Sequence, residues 1–285
     1  MGRRIGITGH RWIAPWGPSS TLTKAAVTVQ TADRPQAGLL GLGQFGRFAA
    51  THLRDHLELL ATDSRNLASA ASELGIGWGN LEEASRLPVI LLAVPLQTMR
   101  AALRAIAPNL QPGTLVADCG SVKAEPVRWM KELLPEHVEI IGTHPLFGPQ
   151  SAPDGLHGQR IVLCPVRTNR LGAIVAFLER LGLQVLVIDA DEHDRQVACS
   201  QALAQIVGRA MVSLVDESPE KLPVRTPSYE RLRDAARIVG SDSWELFEAI
   251  QTMNPHAAAV RKRLREALSE LERRLGQGLD GGVNK

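Results

Sequence analysis

From Ala37 onward, short apolar runs alternate with longer stretches whose apolar residues recur at intervals of three and four. Residues 38–42 precede a helical stretch at 44–53, 57–62 precede 66–74, 89–94 precede 98–106, and 114–118 precede 123–134. Further apolar runs lie at 138–142, 161–165 and 185–189, with a helical stretch at 170–181 between the last two. These runs are apolar throughout, as strands must be when both faces of their sheet are covered. Strands and helices in alternation predict a doubly wound, mostly parallel α/β domain over residues 37–189.

After Asp189 the strand pattern stops. Residues 191–214 read as one long helix, opened by acidic residues that favour the positive end of a helix dipole. A proline-containing loop at 218–227 leads to helical stretches at 229–239 and 244–275, the second interrupted at Asn254-Pro255. Together they predict an all-helical domain at 190–285. On the last stretch Ala257, Val260, Leu264, Ala267 and Leu271 form an apolar stripe. It serves either self-association as a dimer or packing onto the preceding helices. Residues 1–36 have no sustained period and are rich in Gly, Pro, Ser and Thr, which predicts a poorly ordered extension.

Composition narrows the class. The chain has 285 residues, a length suited to about two domains. Its 44% hydrophobic and 22% charged residues are ordinary for a folded protein. Lys+Arg 32 against Asp+Glu 30 leaves a net charge of +2, and the denser basic stretch at 261–274 is interleaved with Glu266, Glu270 and Glu272. A nucleic-acid partner is therefore not expected. Cys119, Cys164 and Cys199 are three, widely spaced and without a CxxC, which fits a reducing compartment and argues against a metal site. The sequence holds no apolar run of 18 residues and no clean signal-peptide core at its start, so a cytoplasmic protein without a membrane partner is expected.

The chemistry begins in the loop after the first apolar run. Gly41-x-Gly43-Gln44-Phe45-Gly46 stands directly after a strand and directly before a helix. In that context the first glycine permits a tight turn, the second admits a pyrophosphate to the backbone, and the third lets helix and strand pack closely. The helix N-terminus adds free N–H groups. Asp63, 22 residues after Gly41 and at the end of the second run, is placed to accept ribose hydroxyls. This Rossmann fingerprint predicts NAD, while Arg65, beyond Ser64, keeps NADP open as a partner for a 2′-phosphate. A flavin is disfavoured by the short chain. Val94 and Pro95 end the run 89–94 under the expected cofactor path, although an ordinary strand end explains them equally.

A dehydrogenase also needs a proton acceptor, and His144 is the candidate. It follows the run 138–142 at the carboxyl edge, where α/β sheets bind ligands, and prolines and a glycine surround it. A histidine merely hydrogen-bonded in a loop is the alternative.

Four segments then stand in order: Asp118-Cys-Gly-Ser121-Val-Lys123, Gly142-Thr-His144-Pro-Leu-Phe-Gly-Pro149, Glu192-His193-Asp194-Arg195, and Leu232-Arg233-Asp234-Ala-Ala-Arg237. With the glycine fingerprint they resemble the prephenate/arogenate (cyclohexadienyl) dehydrogenase family over residues 37–270. The resemblance implies a dinucleotide domain followed by a helical dimerisation domain, a homodimer, and oxidative decarboxylation of a cyclohexadienol. It implies His144 as the base on the C4 hydroxyl and Ser121 as a hydrogen-bonding partner of that histidine or of the hydroxyl. Arg237 would hold a substrate carboxylate with its guanidinium fork, and Arg233, one turn earlier, would assist or pair locally. Gln205 stands where the family usually has a second histidine; it can hydrogen-bond a substrate side chain but carries no charge.

The accepted substrate is thus prephenate, arogenate or 4-amino-4-deoxyprephenate. A 3-hydroxyacid dehydrogenase would want a lysine in the first helix of the helical domain, and 191–214 has none. A non-catalytic NAD-binding homologue is the reading that Gln205 favours, against the retention of Ser121, His144 and Arg237.

Overall fold

The computed structural model describes residues 34–214 and 223–280. Most of the expected N-terminal extension and part of the 218–227 loop lie outside the described residues.

The strands are β1 (Gln36–Leu40), β2 (Glu58–Thr62), β3 (Gly77–Trp78), β4 (Val89–Leu92), β5 (Leu115–Asp118), β6 (Glu139–Pro145), β7 (Arg160–Arg167) and β8 (Gln184–Val187). They form one sheet in the order β3-β2-β1-β4-β5-β6-β7-β8. From β3 to β6 every pairing is parallel; β7 then runs antiparallel to β6, and β8 follows β7 in parallel. The reversal between β1 and β4 is the topological switch point, where doubly wound sheets open a crevice for ligands.

Side-chain alternation along the strands explains why whole runs are apolar. In β1, Ala37 and Leu39 pack with Leu59, Ala61 and Ala50, on the side of helices α1 (Gln44–Leu53) and α2 (Ala68–Glu73). Leu40 points to the opposite face, with Ile90, Leu92 and the buried stripe Leu96, Met99, Leu103 and Ile106 of α4 (Leu96–Ile106). β5 and β6 divide likewise. Val116 and Ile140 pack toward α5 (Ala124–Leu133), while Leu115, Ala117 and Ile141 pack toward α6 (Leu171–Arg180). With cores on both faces, the middle positions of the central strands are apolar, and the buried polar residues Thr62, Asp118 and His144 stand at or near strand ends.

Two elements escaped the sequence pattern. β3 is only two residues long. Helix α3 (Leu81–Ser85) is a single turn stabilised by a capping box, in which Asn80 accepts from Glu83 N–H and Glu83 accepts from Asn80 N–H, both at 2.9 Å. His144 is also placed differently. It lies within β6, opposite Val162 of β7, and not in the loop expected after the strand.

The helical part begins with α7 (Ala190–Val197), capped by Asp189, which accepts from the N–H groups of Asp191 and Glu192 at 3.0 Å. The single helix expected at 191–214 is interrupted by a π-helical segment, Ala198–Ala202, before α8 (Leu203–Leu214). By length and composition Ala190–Leu214 is apolar enough to cross a bilayer, which the run-length rule overlooked. It carries buried His193, Asp194 and Gln205, however, and packs against α9 (Pro227–Gly240). Helices α10 (Trp244–Met253) and α11 (Ala257–Asp280) close the chain, with the break at Asn254-Pro255 as expected. Asn254 Nδ2 donates to Asp194 O at 2.8 Å and Gln251 Nε2 to Ala202 O at 2.7 Å, tying α10 to the helix that follows the sheet. The α11 stripe divides: Ala257 is buried, Val260 and Leu264 are half-buried, and Ala267 and Leu271 are exposed, as are Leu268 and Leu275 on the same helix.

Candidate functional site

The switch-point loop has the shape its glycines predict. Gly41 sits at φ +99°, and a Cβ there would fall 2.5 Å from Ala93 O. A Cβ on Gly46 would fall 2.0 Å from Gly41 O, so only glycine lets α1 start this close to the strand. A Cβ on Gly43 would meet nothing within 4 Å: its backbone faces open space. Gln44 and Phe45 form the first turn of α1, and Val94 and Pro95 lead from β4 into α4. The set fits a dinucleotide: a bare backbone at a helix N-terminus, with a carboxylate at the end of the neighbouring strand.

That carboxylate is Asp63, and it is already occupied. Its Oδ2 accepts from Leu42 N–H at 2.8 Å, and its Oδ1 from Arg65 N–H at 3.0 Å. The Arg65 guanidinium adds a fork, Nε to Oδ1 at 3.0 Å and Nη2 to Oδ2 at 3.2 Å. Partial burial works against ionisation, yet the Arg65 and Leu42 hydrogen bonds outweigh it and hold the carboxyl at about 2. Ser64 hydroxyl lies 3.5 Å from Oδ1. The Asp63 side chain is 8% exposed and that of Arg65 64%, so a surface arginine covers a buried carboxylate.

His144 stands at the other side of the crevice. The β5–β6 register ends at Asp118↔Gly142, so Thr143–Pro145 extend beyond it with β7 as their strand partner. The imidazole is 2% exposed and its Nδ1 lies 2.8 Å from His193 Nε2. His193 Nδ1 in turn lies 2.8 Å from Asp194 Oδ1. Asp194 accepts two further bonds, from Lys123 N–H at 2.8 Å and Ala124 N–H at 2.9 Å, and so caps α5 from the start of α7. Burial first, then His193 and the Lys123 cation, hold the His144 imidazole well below the usual histidine range. At neutral pH it is an uncharged base. The loop beyond it reaches α1, where Phe147 meets Phe48 at a centroid distance of 6.0 Å.

Beneath His144 lies a fully buried ion pair, Lys123 with Asp118. Lys123 Nζ also donates to Thr143 O at 2.6 Å, and Asp118 accepts from Gly120 N–H at 2.9 Å. Burial and Asp118 push the Cys119 thiol up to about 12, which leaves it an inert thiol.

The other candidates are dispersed. Ser121 is half-buried in the β5–α5 loop, and His193, not Ser121, is the hydrogen-bond partner of His144 Nδ1. Arg233 pairs with Glu230 at 2.5 Å, with Asp234 at 3.6 Å. Arg237 is exposed on α9, and its guanidinium makes no ion pair or hydrogen bond among the described residues. Gln205 is 1% exposed; its Nε2 donates to Asp242 Oδ2 at 2.9 Å, while its Oε1 is buried without a partner. His193, Asp194 and Lys123 had no assigned role from sequence reasoning, although all three stand inside the segments that carried the resemblance.

Comparison with known proteins bears on this arrangement. Residues 47–187 match the family model described as "Prephenate dehydrogenase, nucleotide-binding domain", and residues 214–285 match "TYRAAT1-like, C-terminal domain". The chain is 27% identical to the chloroplastic arogenate dehydrogenase 1 of Arabidopsis thaliana, over 87% of this chain and 40% of that protein. It is 32% identical to 4-amino-4-deoxyprephenate dehydrogenase of Streptomyces pristinaespiralis, over 68% of this chain and 64% of that one. Among solved structures it superposes on prephenate dehydrogenase from Aquifex aeolicus, with a TM-score of 0.70, 22% identity, and 88% and 94% of the two chains covered. The chain thus spans less than half the length of the Arabidopsis protein and about two thirds of the Streptomyces one.

Proposed function

Because this chain belongs to the prephenate/arogenate dehydrogenase family, we propose that it catalyses NAD(P)-dependent oxidative decarboxylation of a cyclohexadienol such as prephenate or arogenate. The observation that carries the reading is a buried imidazole near the carboxyl end of β6, on the same edge of the parallel sheet as the glycine loop that follows β1.

A bound nicotinamide would supply the acceptor for the hydride that leaves ring C4. The protein's own work is to orient the ring and manage one proton. As hydride departs, C4 becomes electron-poor and its hydroxyl acidic. His144 accepts the hydroxyl hydrogen bond and takes the proton while that charge builds. Departure of the C1 carboxylate as CO2 leaves its bonding electron pair in the ring, which becomes aromatic. The phenolic oxygen then recovers the proton, so no net proton is consumed. Ser121, in the loop between β5 and α5, is the second hydrogen-bonding group toward that hydroxyl, and Arg237 binds the substrate carboxylate through its unengaged fork. Arg233 is engaged within α9 by Glu230 and Asp234.

Gly41, Gly43, Gln44, Phe45 and Gly46 would hold the pyrophosphate, with Val94 and Pro95 on the path to the nicotinamide. Asp63 favours NAD, and the exposed Arg65 gives NADP a partner. For the substrate side chain, Gln205 offers a free acceptor, since its amide nitrogen is spent on Asp242. An acceptor suits an ammonium better than a ketone, which favours arogenate. The exposed Leu268, Leu271 and Leu275 of α11 supply an apolar face for a homodimer.

Steady-state assays with prephenate, arogenate and 4-amino-4-deoxyprephenate, each with NAD and NADP, test the reading. Nicotinamide reduction with one CO2 released per turnover supports it. Tight dinucleotide binding without turnover on all three overturns it.

A further inference from the structure

The contact between His144 and His193 joins two imidazoles that lie 49 positions apart in the chain, both essentially excluded from solvent. Two imidazoles in contact pose a question of proton placement, since each ring nitrogen is a donor in one tautomer and an acceptor in the other. The answer starts at the far end of the chain. Asp194 presents a carboxylate whose oxygens already accept from the backbone of Lys123 and Ala124. A carboxylate in that position can only accept from His193 Nδ1, which must therefore carry hydrogen. In a neutral His193 the Nε2 then bears a lone pair, and the only hydrogen available to the 2.8 Å contact comes from His144 Nδ1. With its hydrogen on Nδ1, His144 has its lone pair on Nε2.

We infer that His193 is a positioning residue: oriented by Asp194, it fixes His144 in the Nδ1–H tautomer and so makes Nε2 the proton acceptor. The inference rests on the proposed role of His144, which needs one bare ring nitrogen, and adds how the fold selects which nitrogen it is. A neutral imidazole in water exchanges between tautomers, and a base in the wrong one would offer the substrate hydroxyl an N–H. Here the selection is built from backbone. Asp194 is fixed by the first turn of α5 and by Asn254 bonded to its carbonyl, so the orienting carboxylate is held from both the sheet side and the helical side. The same chain of contacts receives the positive charge that His144 takes on with the substrate proton, shared through His193 toward Asp194.

Long-range nitrogen–proton NMR of the wild-type protein labelled with 15N-histidine reads the tautomer directly and needs no turnover. At neutral pH the expected result is His144 protonated at Nδ1 and bare at Nε2, with His193 likewise protonated at Nδ1. His144 protonated at Nε2, or averaging between both forms, overturns the inference whatever the enzyme turns over. Kinetics supply the second arm. His193→Leu is expected to lower kcat about tenfold or more while substrate KM stays within about threefold. His193→Gln, whose amide can donate to Asp194 and accept from His144, is expected to recover most of that loss. Wild-type kcat in His193→Leu, with both variants folded by circular dichroism, contradicts it. If His193→Leu does not fold, the wild-type tautomer and the His193→Gln kcat decide the matter, a kcat in that variant as low as in His144→Asn counting against.

Discussion

The Arg65 guanidinium donates a two-pronged fork to the Asp63 carboxylate, with nitrogen–oxygen distances of 3.0 and 3.2 Å, and so engages the group that a ribose would use. NAD must compete with this fork for Asp63, whereas a 2′-phosphate can draw the exposed arginine away. Arg65→Ala is therefore expected to raise the KM for NADP about tenfold, the loss of one charge-assisted contact, and to leave the KM for NAD equal or lower. Cofactor titrations of wild type and variant check this; an NAD KM that rises as much as that of NADP contradicts it.

Gln205 gives a prediction about substrate choice. Its unpartnered Oε1 is an acceptor buried beside Asp242, whose carboxyl burial pushes above the ordinary aspartate range. Gln205→Leu is expected to raise the KM for arogenate several-fold and to leave that for prephenate within about twofold. Equal effects on both substrates remove Gln205 from side-chain recognition.

The buried Lys123–Asp118 pair predicts a stability effect. Lys123→Met leaves a carboxylate in the core with backbone donors but no countercharge, a change that costs about 3–5 kcal/mol. Adding Asp118→Asn removes the stranded charge and is expected to recover part of the loss, as a double-mutant cycle by urea unfolding would measure. A single variant as stable as wild type contradicts the pair's role beneath β6.

The depressed His144 imidazole sets two pH dependences of one sign. In the unfolded chain this histidine binds a proton below about pH 6.5, while in the folded protein burial, His193 and Lys123 keep it neutral to lower pH. Its contribution to stability is thus complete above about 6.5 and is lost as pH falls below that value. The acid limb of kcat/KM, which reports the free enzyme, is expected below 6.5 as well. A limb centred at or above 6.5 contradicts the burial argument.

Much of this was legible in the sequence because it is local. The glycine loop, Asp63 and the alternation of strands and helices each depend on residues within a few turns of one another, and the parity of β1 and β5 follows from a sheet covered on both faces. His144 stood out in the sequence as a candidate, but its setting did not. Its inclusion in β6 depends on an antiparallel partner, β7, that no short window contains. His193 was missed for the same reason: it becomes buried only when the start of α7 docks on α5 and Asn254 closes over Asp194. The Asp118–Lys123 pair could have been suspected from its five-residue spacing across the strand-to-helix loop, yet a charged segment before a helix reads equally as solvated. The π-helical turn at Ala198–Ala202 has no periodicity signature at all within a longer helical stretch.

The measurement that bears most directly on the whole account is kcat for His144→Asn at saturating dinucleotide and substrate, beside the dinucleotide Kd of the same variant. A fall in kcat of about 100-fold or more with Kd unchanged within about threefold is predicted, since the glycine loop and Asp63 are untouched while the proton acceptor is gone. Turnover within about tenfold of wild type would contradict the assignment of His144 as the base.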